Sequence, residues 1–316
     1  MNEPTRHAKY RMLIESAKAF PPAPTAIAYP CDESSLRGAL EARDMGLVQP
    51  MLVGPRARIV EAARAAAIDI SGVPIVDTAL DEAQAAEAAV RLASEGKAQM
   101  LMKGSLHTDH LMGAVVKPES GLRTHRRISH CFVMDVPAIH RVVIITDAAI
   151  NIVPTLEEKL DIVQNAIDLC HALGNDKPLV AILSAMETVN PKVASTVEAA
   201  ALCKMADRGQ ITGGVLDGPL ALDNAIDLAA ARIKNISSPV AGRADVLVVP
   251  DLEAGNMLAK SLSFMANADA AGIVLGARVP IILTSRADAV TTRLASCAVA
   301  ALVANARQRD VLKAVA

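Results

Sequence analysis

The chain has 316 residues, with 32 Lys and Arg against 34 Asp and Glu, a net charge of −2 and a pI near 6.4. It contains no long basic run, which argues against non-specific nucleic-acid binding and against attachment to a membrane surface. Hydrophobic residues make up 52% of the chain but aromatic ones only 2%, with no Trp. Ala, Val, Ile and Leu must therefore fill the interior, as suits layered α/β packing.

In chain order, residues 6–20 read as a short amphipathic helix with Tyr10, Leu13, Ile14 and Ala17 on one side, ended by the Pro-Pro-Ala-Pro of 21–24. Short β-rich runs then alternate with longer helical patterns. Strands are predicted at TAIAYP from 25, PMLVG from 50, VPIV from 73, QMLMKG from 99, RVVIITD from 141, LVAILSA from 179, ITGGVLDG from 211, DVLVVPD from 245, AGIVLG from 271, and over 279–283. Helices are predicted at 34–45, 81–95, 156–173, 191–207, 255–265 and from Val290 onward. Such alternation argues βαβ units around mostly parallel sheets, and the length suggests about two domains.

Cys31, Cys131, Cys170, Cys203 and Cys297 form no C-x-x-C pair, the pattern of reduced, buried thiols in a cytoplasmic protein. No apolar run approaches the roughly 18 residues of a membrane span, and no secretory leader is read at the N-terminus.

The polar residues collect where strands end, the side on which open α/β sheets bind ligands. MKGSLHTDH, DGPLALDN, PDLEAGN and TSRAD all occupy such positions. Lys103-Gly104-Ser105 reads equally as a phosphate nest or as an ordinary turn with Ser105 as N-cap. His107 and His110 share a helix face, but no third ligand stands at a fixed spacing, so no metal is expected. The basic stretch RTHRRISH at 123–130 reads first as a solvated loop, and otherwise as a contact for the phosphates of a large anion. Turn chemistry accounts for Gly218, Pro219 and Gly255, and capping for one or two of Asp223, Asp251, Glu253 and Asn256. At TSRAD, Ser285 and Asp288 fit a capping box, whereas a cation at Arg286 opposes the helix dipole unless an anion meets it. Neither G-x-G-x-x-G nor G-x-x-x-x-G-K-[ST] occurs, so a dinucleotide fold or P-loop has no direct support.

Taken together and in this order, MKGSLHTDHLM, RRISHCFVMD, VAILSAMETVNPKV, GQITGGVLDGPLALDNAI, SPVAGRADVLVVPDLEAGNMLAKSL and ADAAGIVLGARVPIILTSRAD resemble the phosphate acetyl/butyryl transferase family, from about Thr25 to Ala316. The resemblance is nearest to the domain that some bacteria carry behind an enoyl-CoA hydratase-like domain. No such upstream domain is expected here.

The resemblance implies two three-layer α/β/α domains around a cleft, as in isocitrate and isopropylmalate dehydrogenases. The first would span 1–141 plus 285–316, and an inserted second, 142–284, would mediate dimerisation. The implied reaction is reversible acyl transfer between coenzyme A and inorganic phosphate, acetyl preferred and butyryl the alternative, with no further cofactor and no metal. Arg286 would bind the phosphoryl group and Ser285 the reacting carbonyl oxygen. Lys103, Gly104, Ser105, Thr108, Arg127, Ser129, Asp217, Asp251, Gly255 and Asn256 are the expected substrate-binding residues. Acetyl-specific members place an Asp seven positions after that Ser, where this chain has Thr292, so Asp288 is the candidate base. Two other readings compete: a metal- and NAD-dependent decarboxylating dehydrogenase, and an acyl-CoA-binding protein without turnover.

Overall fold

A computed structural model describes residues 7–283 and 290–315. The described chain runs α1 (Ala8–Lys18), β1 (Ala23–Ala28), α2 (Glu33–Asp44), β2 (Val48–Gly54), α3 (Arg56–Ala65), β3 (Ile75–Asp77), α4 (Glu82–Ser94), β4 (Met100–Lys103) and α5 (Thr108–Val116). It continues through β5 (Ser129–Asp135), β6 (Val143–Thr146), α6 (Leu156–Ala172), β7 (Leu179–Leu183), α7 (Ala194–Asp207), β8 (Val215–Leu220), α8 (Leu222–Ile226), α9 (Leu228–Ile233) and β9 (Val246–Val248). It closes with α10 (Leu252–Met265), β10 (Asp269–Leu275), β11 (Ile281–Ile282) and α11 (Val290–Val315). The helix starts follow local chemistry. Asp32, Asp81 and Asp251 each cap a helix by accepting from an amide in its first turn, and Thr155 with Glu158 forms a reciprocal capping box.

Two compact units result: a split unit of Tyr10–Arg126 with Ala271–Ala316, and a middle unit of Met1–Lys9 with Arg127–Ala270. The sequence reading divides the chain at 141/142 and 284/285. The compact units divide instead at 126/127 and 270/271, with β5, which that reading leaves out, in the middle unit and β11 in the split unit.

In the split unit the strand order is β3-β2-β1-β4-β11-β10, parallel except for the β10–β11 pair. The chain moves outward from β1 to β3 and then returns past β1 to β4. Right-handed crossovers therefore put α2 and α3 on one face and α4 on the other. Consistently, α11 packs on α2, and α4 on α5. The reversal makes a switch point between β1 and β4, the usual place for a ligand crevice.

The sequence predicts α11 as a one-faced helix through Leu294, Cys297, Ala298, Ala301 and Leu302. Instead every residue of 295–304 is buried. A helix apolar on all sides belongs inside a domain, and small Ala side chains let the sheet and α2 approach it closely. Its single polar intruder, Ser296, is satisfied by accepting from the Gly272 amide and donating to the Thr292 carbonyl.

In the middle unit the order is β5-β6-β9-β7-β8, with β5 antiparallel to β6 and the rest parallel. α6 packs on β5, β6 and β9, and α7 on β7 and β8. A core of Met134, Val143, Ile145, Ala181, Leu183, Leu220, Leu247 and Val249, among others, is closed by residues of α8, α9 and α10. Lys9 Nζ is anchored at 2.6 Å to the buried Asp135 carboxylate and donates to the carbonyls of Val136 and Ile139.

Several expectations shift. α7 starts at Ala194 rather than 191, because Thr196 Oγ1 bonds back to Asn190 and holds residues 190–193 as a turn. α10 starts at Leu252, three residues early, because Asp251 caps it. α3 is a helix that the reading omits. Residues 129–130, read with the solvated basic loop, are buried at the start of β5.

Candidate functional site

In the split unit the site is built at the carboxyl ends of β1 and β4. Gly104 N donates to Ala28 O at 2.9 Å, and Ser105 N to Tyr29 O at 2.9 Å. Ser105 Oγ donates to Tyr29 O at 2.8 Å and accepts from Cys31 N at 3.2 Å. These bonds lock the two strand ends together. They also commit the amides of Gly104 and Ser105, so a phosphate nest on those two groups is not formed. Nor is Ser105 an N-cap: that position is His107, whose amide donates to Glu82 Oε2. A Cβ on Gly104 would lie 2.4 Å from Ala28 O and 2.6 Å from Tyr29 O, which only glycine avoids. Lys103 is half-buried beside it, with Nζ donating to Gly104 O at 3.3 Å. Thr108 is exposed at the first position of α5.

β11 runs parallel to β4, Ile282 opposite Met102, so the chain leaves β11 at the same sheet edge as Lys103. Ser285, Arg286 and Asp288 follow and lie outside the described residues. In the first turn of α11, Thr292 is buried at 6% exposure. Beside it, the buried Arg293 donates from Nη1 to Ser34 Oγ at 3.3 Å and lies over Gly38, where a Cβ would come within 3.2 Å of its Cδ. Sequence reasoning passes over Arg293. Its only signal is a cation at the head of a strongly apolar helix.

In the middle unit, Arg127, Ser129, Asp251, Gly255 and Asn256 gather around the loop after β6, while Asp217 does not. Asp147 anchors that loop by accepting from the amides of Ala149, Ile150 and Asn151, from the His130 amide, and from Asn151 Nδ2 at 2.6 Å. Arg127 donates from Nε to Asn151 Oδ1 at 2.8 Å and pairs through Nη1 with Glu158 at 2.9 Å. Ser129 is fully buried and accepts from Asn165 Nδ2. Asn256 Nδ2 donates to Ala148 O at 3.3 Å. Gly255 lets α10 approach the same loop, since a Cβ there would stand 2.9 Å from that of Ala148. Asp217, inside β8, accepts from its neighbour Gly218 N. Sequence reasoning missed Asp147 and Asn151 altogether.

His130 is buried in this network, edge-on to Phe132, and among the described residues its Nδ1 has no hydrogen-bond partner. Burial pushes its pKa down to about 4, with the Asp147 carboxylate pulling the other way. The unfolded imidazole takes up its proton near pH 6.5, the folded one only well below that. Between those values the unfolded state binds more protons, so His130 lowers stability as pH falls from about 6.5 toward 4, by up to about 1.4 kcal/mol per pH unit. His130→Gln should remove that part of the slope. Chemical unfolding of both proteins across the window measures it, and parallel curves would show that His130 does not titrate this way.

Burial disfavours the thiolate form of all five cysteines near neutral pH. Burial raises Cys31 to about 11 and Cys131, Cys203 and Cys297 to about 12, and it raises Cys170 as well. Among the described residues no group of three His, Cys, Asp or Glu is arranged to hold a metal, and no helix is long and apolar enough to cross a membrane.

The family described as phosphate acetyl/butaryl transferase matches residues 83–301. A phosphate acetyltransferase of Rhizobium meliloti is 63% identical over 312 residues, covering 99% of this chain and 98% of that one. The chain belongs to this family. A phosphate butyryltransferase of Clostridium beijerinckii is 42% identical, covering 92% of this chain and 96% of its own. Among solved structures, a branched-chain phosphotransacylase from Enterococcus faecalis V583 aligns with a TM-score of 0.79 at 31% identity, covering 89% of this chain and 99% of that one. The two strand-end clusters thus lie within a phosphotransacylase fold.

Proposed function

We propose that the protein catalyses reversible acetyl transfer between coenzyme A and inorganic phosphate. The observation that carries this reading is the 63% identity to the Rhizobium meliloti phosphate acetyltransferase over 99% of the chain. The lower identity of 42% to the butyryltransferase favours acetyl over butyryl. In the transfer, a phosphate oxygen attacks the thioester carbonyl, the C–O bond forms, the C–S bond breaks, and coenzyme A leaves as the thiolate. Arg286 holds the phosphate, Ser285 donates to the developing oxyanion, and Asp288 handles the proton in place of the acid that Thr292 replaces. Lys103 adds a cation at the β1–β4 edge. The raised pKa of Cys31 favours direct attack over an acyl-cysteine intermediate. The proposal includes a homodimer, a cytoplasmic location, and no cofactor beyond the two substrates.

The test is thiol release from acetyl-, propionyl- and butyryl-CoA, with and without phosphate. Release should require phosphate and be fastest with acetyl-CoA. Arsenate should replace phosphate, because the mixed anhydride hydrolyses. Coenzyme A binding without phosphate-dependent release would instead identify a non-catalytic binding protein, and NAD binding with Mg²⁺ would point to the dehydrogenase alternative.

A further inference from the structure

In the split unit α4 packs on β1, β2 and β4, which leaves its outer flank open beside the edge strand β3. The resulting groove has a volume of 580 Å³, with Val76, Ala88 and Leu92 as its apolar lining and Thr78 and Gln84 as polar neighbours. A second groove of 350 Å³ lies between α4 and α5, over the buried side chains of Val90 and Ala114. Glu87 and Arg91 line both. None of the residues expected to bind substrate lines either one.

The helix puts Arg91 one turn from Glu87 and one turn from Glu95, the spacing at which such side chains pair. Both carboxylates are taken from elsewhere. Lys117, just past α5, meets Glu87 at 2.5 Å, and Lys97 meets Glu95 at 2.7 Å. Asp77, at the rim of the first groove, accepts from Arg56 N, and Glu119 stands near Lys117 at the second. Among the described residues the exposed Arg91 guanidinium has no hydrogen bond or ion pair. An exposed arginine alone is ordinary. This one stands between two partly apolar grooves with its neighbouring carboxylates already neutralised, which is the anatomy of an interface: arginine and aliphatic surface at the centre, ion pairs at the rim.

We propose that this face of α4 docks an acidic segment of a partner protein, with one Asp or Glu on Arg91 and aliphatic side chains in the grooves to either side. A carboxylate matches the guanidinium fork in two parallel bonds, whereas a lysine at that point would meet a like charge. A small anion fits less well, because it would occupy Arg91 and leave both grooves unfilled. From Gln84 to Glu95 the face runs about 16 Å along the helix, room for a peptide segment. The proposal stands independently of the acyl-transfer reading.

The probe is a synthetic peptide of about nine residues, roughly 30 Å when extended, with Glu at its centre and Val and Leu on both sides, compared with Gln- and Lys-centred versions. Titrated onto the full chain, the Glu peptide should bind at least about tenfold more tightly than the Gln peptide, the worth of one charge-assisted bond. The Lys peptide should bind more weakly still, and amide chemical shifts should move at Ala88, Arg91 and Leu92. Arg91→Gln should erase the preference for Glu, and Arg91→Glu should turn it toward Lys. The side chain is exposed, so both variants should fold, and Arg91→Gln adds no like charge beside Glu87 and Glu95 should the other prove unstable. Thiol release should be unchanged in both, since Arg91 is not among the residues assigned to acyl transfer. If the wild type releases no thiol, the reaction reading fails and the peptide titration still decides this inference. No binding of the Glu peptide, equal binding of all three, or binding that Arg91→Gln leaves unaltered overturns the proposal. So does a wild-type dimer, seen by light scattering, that Arg91→Gln dissociates, because the face would then seat a second copy.

Discussion

Gly104→Ala is expected to cost about 3 kcal/mol of stability or more, and to reduce acyl transfer at least tenfold. The methyl group would fall within 2.4 Å of Ala28 O and 2.6 Å of Tyr29 O, and both are backbone atoms that cannot rotate away. Relief requires β1 and β4 to part. That lengthens the Gly104–Ala28 and Ser105–Tyr29 bonds and shifts Lys103 with them. Ser105→Ala removes only the hydroxyl bridge between Tyr29 O and Cys31 N, so its cost should be smaller, about 1–2 kcal/mol. Urea unfolding and thiol release on both variants test the ordering. A Gly104→Ala protein as stable and active as wild type would mean the strand ends are not joined so closely.

Arg286→Gln should raise the Michaelis constant for phosphate by roughly ten- to more than a hundredfold, the worth of one lost charge-assisted bond. Arg286→Lys should raise it less, because the point charge survives while the fork that matches a phosphate does not. Ser285→Ala should instead slow turnover about a hundredfold, as the loss of an oxyanion donor does, with phosphate binding largely kept. The contrast separates gripping the nucleophile from stabilising the transition state. Steady-state kinetics with phosphate and acetyl-CoA varied in turn resolve it. A phosphate constant left unaltered in Arg286→Gln, with only the melting temperature lowered, would make Arg286 a structural residue.

The alternating fold was legible because its signals are local. β-branched runs such as those of β1, β2 and β7 need no distant partner to announce a buried strand, and Asp32, Asp81 and Thr155 mark helix starts by the side chain each offers to the following amides. β5 was not legible, because Ser129 and His130 look like surface residues until Asn165 and Asp147 come across the fold to meet them. α3 was missed for a related reason: its three arginines and one glutamate hide the Ile59 and Ala63 that it buries. At the candidate sites the residue types were legible, and part of their local work with them. Capping was already one reading of Asp251, whereas the close packing of Gly255 against Ala148 shows only in the fold. Lys103-Gly104-Ser105 reads equally as an anion nest or an ordinary turn, and the Gly104 and Ser105 amides hold β1 to β4. The bonds that decide this join residues some 76 positions apart, as between Tyr29 and Ser105, a separation no local pattern reports.

The division of the chain has a consequence for how the protein is made. The split unit needs α11, buried throughout over 295–304, to complete its core, but 144 residues of the middle unit (Arg127–Ala270) are synthesised between Arg126 and Ala271. At about 5–20 residues per second, the first part of that core waits roughly 7–30 s on the ribosome with the groove for α11 unfilled. Residues 127–270 of the middle unit emerge without interruption and are free to fold during that wait. Nascent chains from which residues 1–270 have fully emerged should therefore protect the middle unit from protease while leaving residues 10–126 open, which makes the half-built split unit the stage at which chaperones would engage.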